Sequence, residues 1–128
     1  MANKEKHLTK WQNALTELNL ISPEDKVEAY VVAKWAEINL GPIGNWRQGT
    51  LIFTKEKLVF MTTFGVSQFA IDYSDVREVS KKLAGLLPMG MQVSAYNKKT
   101  DKIKKYKFWL GGRKKWMQLI SEKAGLGQ

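Results

Sequence analysis

Apolar side chains near both ends of the chain recur at helical spacing. In the N-terminal stretch they fall at every third or fourth position: Leu8, Trp11, Leu15 and Leu18. This spacing predicts an amphipathic helix over residues 5–20. Residues 22–25, SPED, are a second helix-start signal, but a strand pattern follows at once and leaves room for one turn only. Residues 113–124 predict a last helix, which Gly125 is expected to end.

Between these helices the pattern is typical of short strands. Residues 27–38 are rich in β-branched and aromatic side chains, and alternation would place one set on a common face: Val27, Ala29, Val31, Ala33 and Trp35. Residues 46–54 and 57–63 flank the two-residue turn Lys55-Glu56 and predict a tight hairpin. The same reasoning predicts strands over 67–72, 76–82, 91–96 and 103–110, with an apolar loop over 83–90.

The order of these elements is helix, seven strands, helix. Short strands with tight turns and a terminal helix favour a small antiparallel barrel or sandwich that the helix plugs. We expect one core, formed by the apolar sides of the strands and of the last helix: Leu51, Phe53, Leu58, Phe60, Phe69, Ile71, Tyr106, Phe108, Trp116 and Ile120.

Composition narrows the chemistry that such a barrel could perform. The chain has 128 residues, the size of one domain, with no cysteine and a single histidine. Disulfides, cysteine zinc sites and thiol nucleophiles are therefore excluded. The sequence contains no HExxH, GxSxG, phosphate-loop or dinucleotide-binding glycine pattern. We interpret the chain as a non-enzyme without a metal or another cofactor.

The positive charge is concentrated in one stretch. Residues 77–115 carry 12 basic and 2 acidic side chains, whereas residues 1–76 carry 8 and 9. This excess favours an anionic partner, either a lipid surface or an acidic protein. The basic strand lacks the arginine and aromatic pattern of RNA-binding sheets, which argues against nucleic acid. The sequence shows no signal peptide and no apolar run long enough to span a membrane, so we expect a cytoplasmic protein, peripheral at most on the inner membrane face.

Several segments resemble a known family. Residues 49–60, GTLIFTKEKLVF, resemble the G-x-L-x-[FL]-T-x-x-x-L-[VI]-F signature of GRAM and bacterial PH-like domains. Residues 71–76, IDYSDV, resemble their I-P-[YL]-x-D-I element, with Asp72 in place of proline. Shorter similarities lie at EDKV (24–27), YKFWL (106–110) and RKKW (113–116), so the resemblance covers about residues 22–122.

The resemblance implies the PH superfold, in which a four-stranded and a three-stranded sheet pack nearly orthogonally and a C-terminal helix closes one end. It implies a PH/GRAM-like domain over residues 22–124, preceded by an N-terminal helix within 1–21 and followed by a tail at 125–128. Phosphoinositide-binding PH domains carry a basic K-x(n)-[KR]-x-R motif in the first two strands. Here only Lys34 and Arg47 fall there, which argues against specific inositol phosphate recognition.

The candidate binding site is a basic rim at the open end of the barrel. In PH-like folds the turn between strands six and seven lies beside the first-to-second and third-to-fourth turns, so lysines and aromatic rings would meet there. Such a rim suits reversible contact with an anionic membrane. The alternative is that the rings cap the core while the lysines protect an edge strand from aggregation. The residues concerned are Lys98, Lys99, Lys102, Lys104, Lys105, Arg47, Trp46 and Phe64.

Two apolar segments are candidates for docking a protein partner. The stripe of the N-terminal helix, Leu8, Trp11, Leu15 and Leu18, must be buried either on its own barrel or on a partner such as a second copy. The second segment lies in the apolar loop and contains Leu86, Leu87 and Met89, which either dock a partner or fold beneath the terminal helix. A protein-interaction or oligomerisation module with no lipid role is thus the alternative function.

Overall fold

The computed structural model describes residues 2–38, 45–63, 68–84 and 87–126, and within these ranges the side chains of 2–5, 37–38, 45–46, 83–84 and 87–88 lie outside the description. The elements in order are α1 Ala2–Glu17, β1 Val27–Ile38, β2 Asn45–Thr54, β3 Lys57–Thr62, β4 Gln68–Asp72, a 3₁₀ turn Tyr73–Asp75, β5 Val76–Ala84, β6 Leu87–Asn97, β7 Lys102–Leu110 and α2 Arg113–Lys123.

The seven strands form one antiparallel sheet in the order β4-β3-β2-β1-β7-β6-β5. Four strands lie on one side and three on the other, and the two parts meet where β1 pairs with β7 over only three residues, from Ala33–Leu110 to Trp35–Phe108. No pairing joins β4 to β5 among the described residues, so the sheet folds over its core and leaves a seam between these two edges. The predicted order of helix, seven strands and helix is confirmed.

The core lies between the two parts of the sheet. The inward faces of β2 and β3 meet there as the alternation predicts, because Leu51, Phe53, Leu58 and Phe60 are all fully buried. Helix α2 covers one end of this core, where the Trp116 ring stacks on the Phe53 ring with centroids 4.8 Å apart. Nine of the ten residues predicted to share one core are buried in it, and the tenth, Phe69, is partly buried and packs against it.

The prediction of a single inward face for β1 is wrong at its first residue. Val27 packs on the opposite side of the sheet from Ala29, Val31, Ala33 and Trp35. The cause is a bulge, since Val27 pairs with Thr54 and Ala29 pairs with Phe53, which leaves one extra residue on β1. The bulge reverses the alternation and turns Val27 towards α1.

Helix α1 packs on the outer face of β1, β2 and β3. Leu15 is fully buried there against Ile52 and Val59, in a second cluster that also includes Leu8 and Trp11 as partly buried members. The sequence left open whether α1 packs on its own barrel or on a partner, and in the structure it packs on its own barrel.

The ends of α1 differ from the predicted range of 5–20, because the helix already includes Ala2 and stops at Glu17. Asn19 adopts the left-handed conformation, with φ at 58°. The Leu20 amide donates to the Leu15 carbonyl and the Asn19 amide donates to the Thr16 carbonyl, a Schellman ending. Leu18 thus lies past the helix and is 44% exposed. Gly125 ends α2 in the same way, as predicted.

The apolar loop predicted for 83–90 is also wrong. β5 continues to Ala84 and β6 begins at Leu87, so residues 83–84 and 87–90 belong to the strands of the β5–β6 hairpin, while residues 85 and 86 lie outside the described residues. Proline and glycine at 88 and 90 indicated a loop, but the pairing passes from Lys82–Gly90 to Ala84–Leu87 and so leaves an irregularity around Pro88. A proline is tolerated in a strand at such a bulge because its missing N–H is not needed there.

A buried carboxylate fixes the turn between β2 and β3. Asp25 is 2% exposed, and its two oxygens accept hydrogen bonds from the Thr54 hydroxyl at 2.7 Å and from the Glu56 amide at 3.1 Å. Gln12 of α1 connects to the same segment, donating to the Asp25 carbonyl and accepting from the Val27 amide, each at 2.8 Å. The acidic segment before β1 therefore ties the helix, the first strand and this turn together.

Candidate functional site

The turn that joins β6 to β7 has a defined backbone conformation. The strands pair as far as Asn97 and Lys102. The Asp101 amide donates to the Asn97 carbonyl at 2.8 Å, and the Lys99 amide donates to the Asn97 side-chain oxygen at 2.9 Å. Asp101 has a φ of 56°, a conformation that aspartate and asparagine tolerate better than most residues. This turn holds Lys98 and Lys99 outward, at the end of the hairpin.

Alternation along β7 then separates charge from core. Tyr106 and Phe108 face inward and are buried, while Lys105 lies on the outer face and is exposed. Lys104 lies on the same side as Tyr106 but nearer the end of the barrel, where its ammonium group is 5.1 Å from the centre of the Tyr106 ring. The strand therefore carries its lysines on both faces without burying a charge.

The carboxylates close to these lysines already have partners. Asp75 lies 3.9 Å from the Lys98 ammonium, and Asp72 lies 3.3 Å from that of Lys57. Asp101 accepts a hydrogen bond from the Tyr96 hydroxyl, and this bond is the first cause of the raised pKa of Tyr96. Among the described residues, no carboxylate forms an ion pair with the other lysines of the hairpin, Lys99, Lys102, Lys104 and Lys105.

A groove of about 440 Å³ lies between the hairpin and the edge strand β4. Four consecutive β4 residues, Phe69 to Asp72, form one wall, and the end of β6 with Lys98, Lys99 and Lys104 forms the other. Phe69 and Tyr106 stack at the groove with ring centroids 4.8 Å apart. The site therefore combines an apolar base with ammonium groups at its margin.

The structure brings only part of the predicted rim together. Arg47 is half-buried in β2 opposite Trp35, and it does not line the groove. Phe64 lies outside the described residues, and so does the side chain of Trp46. The rim residues that lie together are therefore the lysines on the hairpin.

The predicted docking residues are dispersed over the molecule. Leu8, Trp11 and Leu15 contact the sheet beneath α1, and Leu18 is exposed beside it. Met89 is half-buried in β6, where its sulfur accepts a hydrogen bond from the Trp109 indole N–H at 3.1 Å. Leu86 lies outside the described residues, as does the side chain of Leu87.

Sequence reasoning missed the part of the groove that other strands supply. Lys57, Asp72 and Asp75 line it although they lie at least 23 positions before Lys98 in the sequence. Alternation assigns Phe69 to the core correctly, but the sequence carries no signal that β4 is an edge strand facing the β6–β7 turn. That proximity follows from the sheet order alone.

Within the described residues, no group of three or more histidine, aspartate or glutamate side chains could hold a metal ion. In the same part of the chain, no helix is both long and apolar enough to cross a membrane.

No protein-family model matches the chain, and a search of curated proteins finds no match. Solved structures do match. The C-terminal domain of an unknown protein from Leishmania infantum has a TM-score of 0.67 and 14% identity, covering 91% of this chain and 95% of that one. The DH/PH domains of PDZ-RhoGEF, solved in complex with activated RhoA, have a TM-score of 0.68 and 11% identity. That match covers 98% of this chain, which spans only 41% of the RhoGEF chain.

The Slm1 PH domain, solved in complex with inositol 4-phosphate, has a TM-score of 0.54 and 9% identity, covering 80% of this chain and 97% of that one. At such identities the likeness shows the fold alone. Together with the sheet order and the position of α2, it shows that the chain has a PH-like fold.

Proposed function

We propose that this chain is a non-enzymatic binding module that associates reversibly with anionic membrane surfaces through the lysines of its β6–β7 hairpin. The observation that carries the proposal is the exposure of Lys99, Lys102, Lys104 and Lys105, without carboxylate partners among the described residues, on one projecting hairpin. The inner leaflet of the cell membrane carries the anionic lipids that such a surface attracts.

The contact is diffuse and has no stereospecific headgroup pocket. Lysine is a flexible point charge and lacks the planar, two-pronged donor geometry of arginine, and the hairpin contains no arginine. Slm1 was solved with inositol 4-phosphate, which makes a phosphorylated headgroup a reasonable ligand for this fold. In this chain, however, the hairpin favours total surface charge over headgroup identity.

Within the PH-like fold, we propose that the chain is related to GRAM and bacterial PH-like domains. The support is the β2–β3 hairpin, in which Gly49, Leu51, Phe53, Leu58 and Phe60 occupy the positions of the family signature. The four apolar residues of this set belong to the core, so the support comes from packing and carries no statement about the ligand.

A protein partner is the second candidate function. The RhoGEF structure contains a DH/PH unit together with activated RhoA, so a neighbour of this fold is found with a protein. In this chain the observation that favours a protein is the set of apolar side chains left exposed on the surface: Leu18, Val32 and Ile103. They are dispersed along the chain, in the turn after α1, in β1 and in β7, and the lysine hairpin therefore carries the first proposal.

The test changes Lys98, Lys99 and Lys102 together to glutamine. Each lysine near an anionic bilayer contributes about 1 kcal/mol, so the variant is expected to lose about 3 kcal/mol of binding, a loss of more than about a hundredfold in affinity. Co-sedimentation with phosphatidylserine-containing vesicles measures it. Folding should stay intact because these residues are exposed in a turn.

The matched control changes three other lysines, Lys6, Lys10 and Lys114, to glutamine. These lysines are also exposed but lie on the two helices. This variant should bind almost as well as the parent. If the triple variant binds as well as the parent, the hairpin is only a solvated edge and the proposed function is wrong.

A further inference from the structure

The groove beside β4 runs along the edge of a strand rather than across one face of the sheet. Successive side chains of a strand point to opposite faces. A groove lined by the four consecutive residues Phe69 to Asp72 therefore follows the backbone edge of β4. That edge is the outer one, because β4 stands last in the sheet order and pairs only with β3 among the described residues.

The opposite wall is formed by the end of β6, which pairs with β7 on one side and, among the described residues, has no strand beside it on the side of β5. β5 begins at Val76, which pairs with Ala95, so Tyr96 and Asn97 extend past it with no β5 partner on that side. Both residues line the groove. The chain leaves β4 through the 3₁₀ turn Tyr73–Asp75, so β5 starts too late to fill the space between the two edges.

The charge of the groove selects the kind of segment that would fit. Its lining includes four lysines and two aspartates, and the two aspartates already pair with Lys57 and Lys98. Lys99 and Lys104 remain for an incoming ligand. Open strand edges bind extended chains through main-chain hydrogen bonds, and side-chain pockets or charges give the specificity.

We propose that this groove binds an extended acidic peptide segment of a partner protein, which adds as a strand to the outer edge of β4 while its carboxylates contact Lys99 and Lys104. The proposal goes beyond the membrane contact and does not depend on it. A membrane surface offers charge but no regular series of N–H and C=O groups to pair with a strand edge.

The experiment uses the full chain and a blocked peptide of alternating glutamate and valine as the probe. At a peptide concentration ten times its Kd, hydrogen exchange of the β4 amides that point away from β3 should slow by about tenfold. The same peptide N-methylated at every residue keeps its side-chain charge but loses its main-chain donors on both edges, and it should give no such protection. A lysine–valine peptide should not bind.

Protein variants test the charge contribution separately. Changing Lys99 and Lys104 to glutamine removes two exposed charge pairs and should weaken binding of the acidic peptide by about tenfold. The matched pair of changes at Lys10 and Lys114 should have no effect on peptide binding. Lys102 and Lys105 do not line the groove, so changing them should weaken binding to vesicles more than binding to the peptide.

Any of the following results would overturn the proposal. The acidic peptide fails to bind, or the N-methylated peptide binds equally well, or the protected amides lie outside β4 and the end of β6. Anionic vesicles without peptide are the remaining arm: if they protect the same β4 amides, the groove is a lipid site instead. The arms with peptide contain no lipid, so loss or retention of vesicle binding in the Lys98, Lys99 and Lys102 variant tests the proposed function and leaves the peptide result of the unmodified protein independent of it.

Discussion

Replacing Gly49 by alanine is expected to destabilise the protein by about 3 kcal/mol, at the upper end of the usual cost of overpacking. A β-carbon at this position would lie 2.2 Å from the carbonyl oxygen of Met61 and 2.7 Å from the ring of Phe60. The first of these atoms belongs to the backbone of β3, which pairs with β2 at this point. The new methyl group can therefore be accommodated only by separating the two strands.

Urea unfolding of the Gly49→Ala variant measures this cost, and Gly111→Ala is the matched control. A β-carbon at Gly111 would meet nothing within 4 Å, so that variant should stay within about 0.5 kcal/mol of the parent. If both variants unfold at the same urea concentration, the result contradicts the close approach of β2 and β3 at Gly49.

The second large effect is expected for Phe60→Ala, which should lose about 3–5 kcal/mol of unfolding free energy. Phe60 is fully buried, with its ring centroid 5.8 Å from that of Trp35 and 5.9 Å from that of Phe108. Because Phe108 belongs to β7 and Trp35 to β1, the deletion opens a cavity where the two parts of the sheet meet. The surrounding rings are held by their own strands and cannot close it fully.

Denaturant melts check this prediction, with Val32→Ala as a control on the solvent side of β1. Val32 is 62% exposed, so its truncation should cost little. A loss under about 1 kcal/mol for Phe60→Ala would place that side chain outside the core and contradict the register of β3.

The β2–β3 hairpin could be predicted from sequence because its information is local. Alternation and a two-residue turn determine which side chains point inward, and no distant contact is needed to assign them. The four side chains assigned in this way are all buried as predicted: Leu51, Phe53, Leu58 and Phe60. The ends of both helices carry local signals as well, since Asn19 and Gly125 take the left-handed conformation that closes them.

The errors arose where tertiary structure overrides a local pattern. The bulge after Val27 turns that side chain towards α1, whose place on the sheet the sequence does not reveal. Around Pro88 the breaker residues indicate a loop, but pairing with β5 continues through an irregularity instead. In both cases one extra residue in a strand changes the result, and periodicity alone does not locate it.

The candidate site likewise has one part that a local pattern predicts and one part that depends on tertiary structure. The lysines of the hairpin are visible as a charge run, and alternation predicts that Tyr106 and Phe108 point away from Lys105. The groove was not predictable, because it depends on β4 being the last strand of the sheet and on Lys57 and Asp75 lying beside Lys98. These residues come together only when the sheet folds over its core.

Co-sedimentation of the unmodified protein with vesicles tests the central claim most directly. The account predicts binding to phosphatidylserine vesicles and to phosphatidylglycerol vesicles of equal charge density, and none to phosphatidylcholine alone. Binding should weaken steeply as salt rises to physiological strength, where the screening length is about 8 Å. Equal sedimentation with neutral and anionic vesicles, or none with either, would contradict the claim that the β6–β7 hairpin binds anionic surfaces.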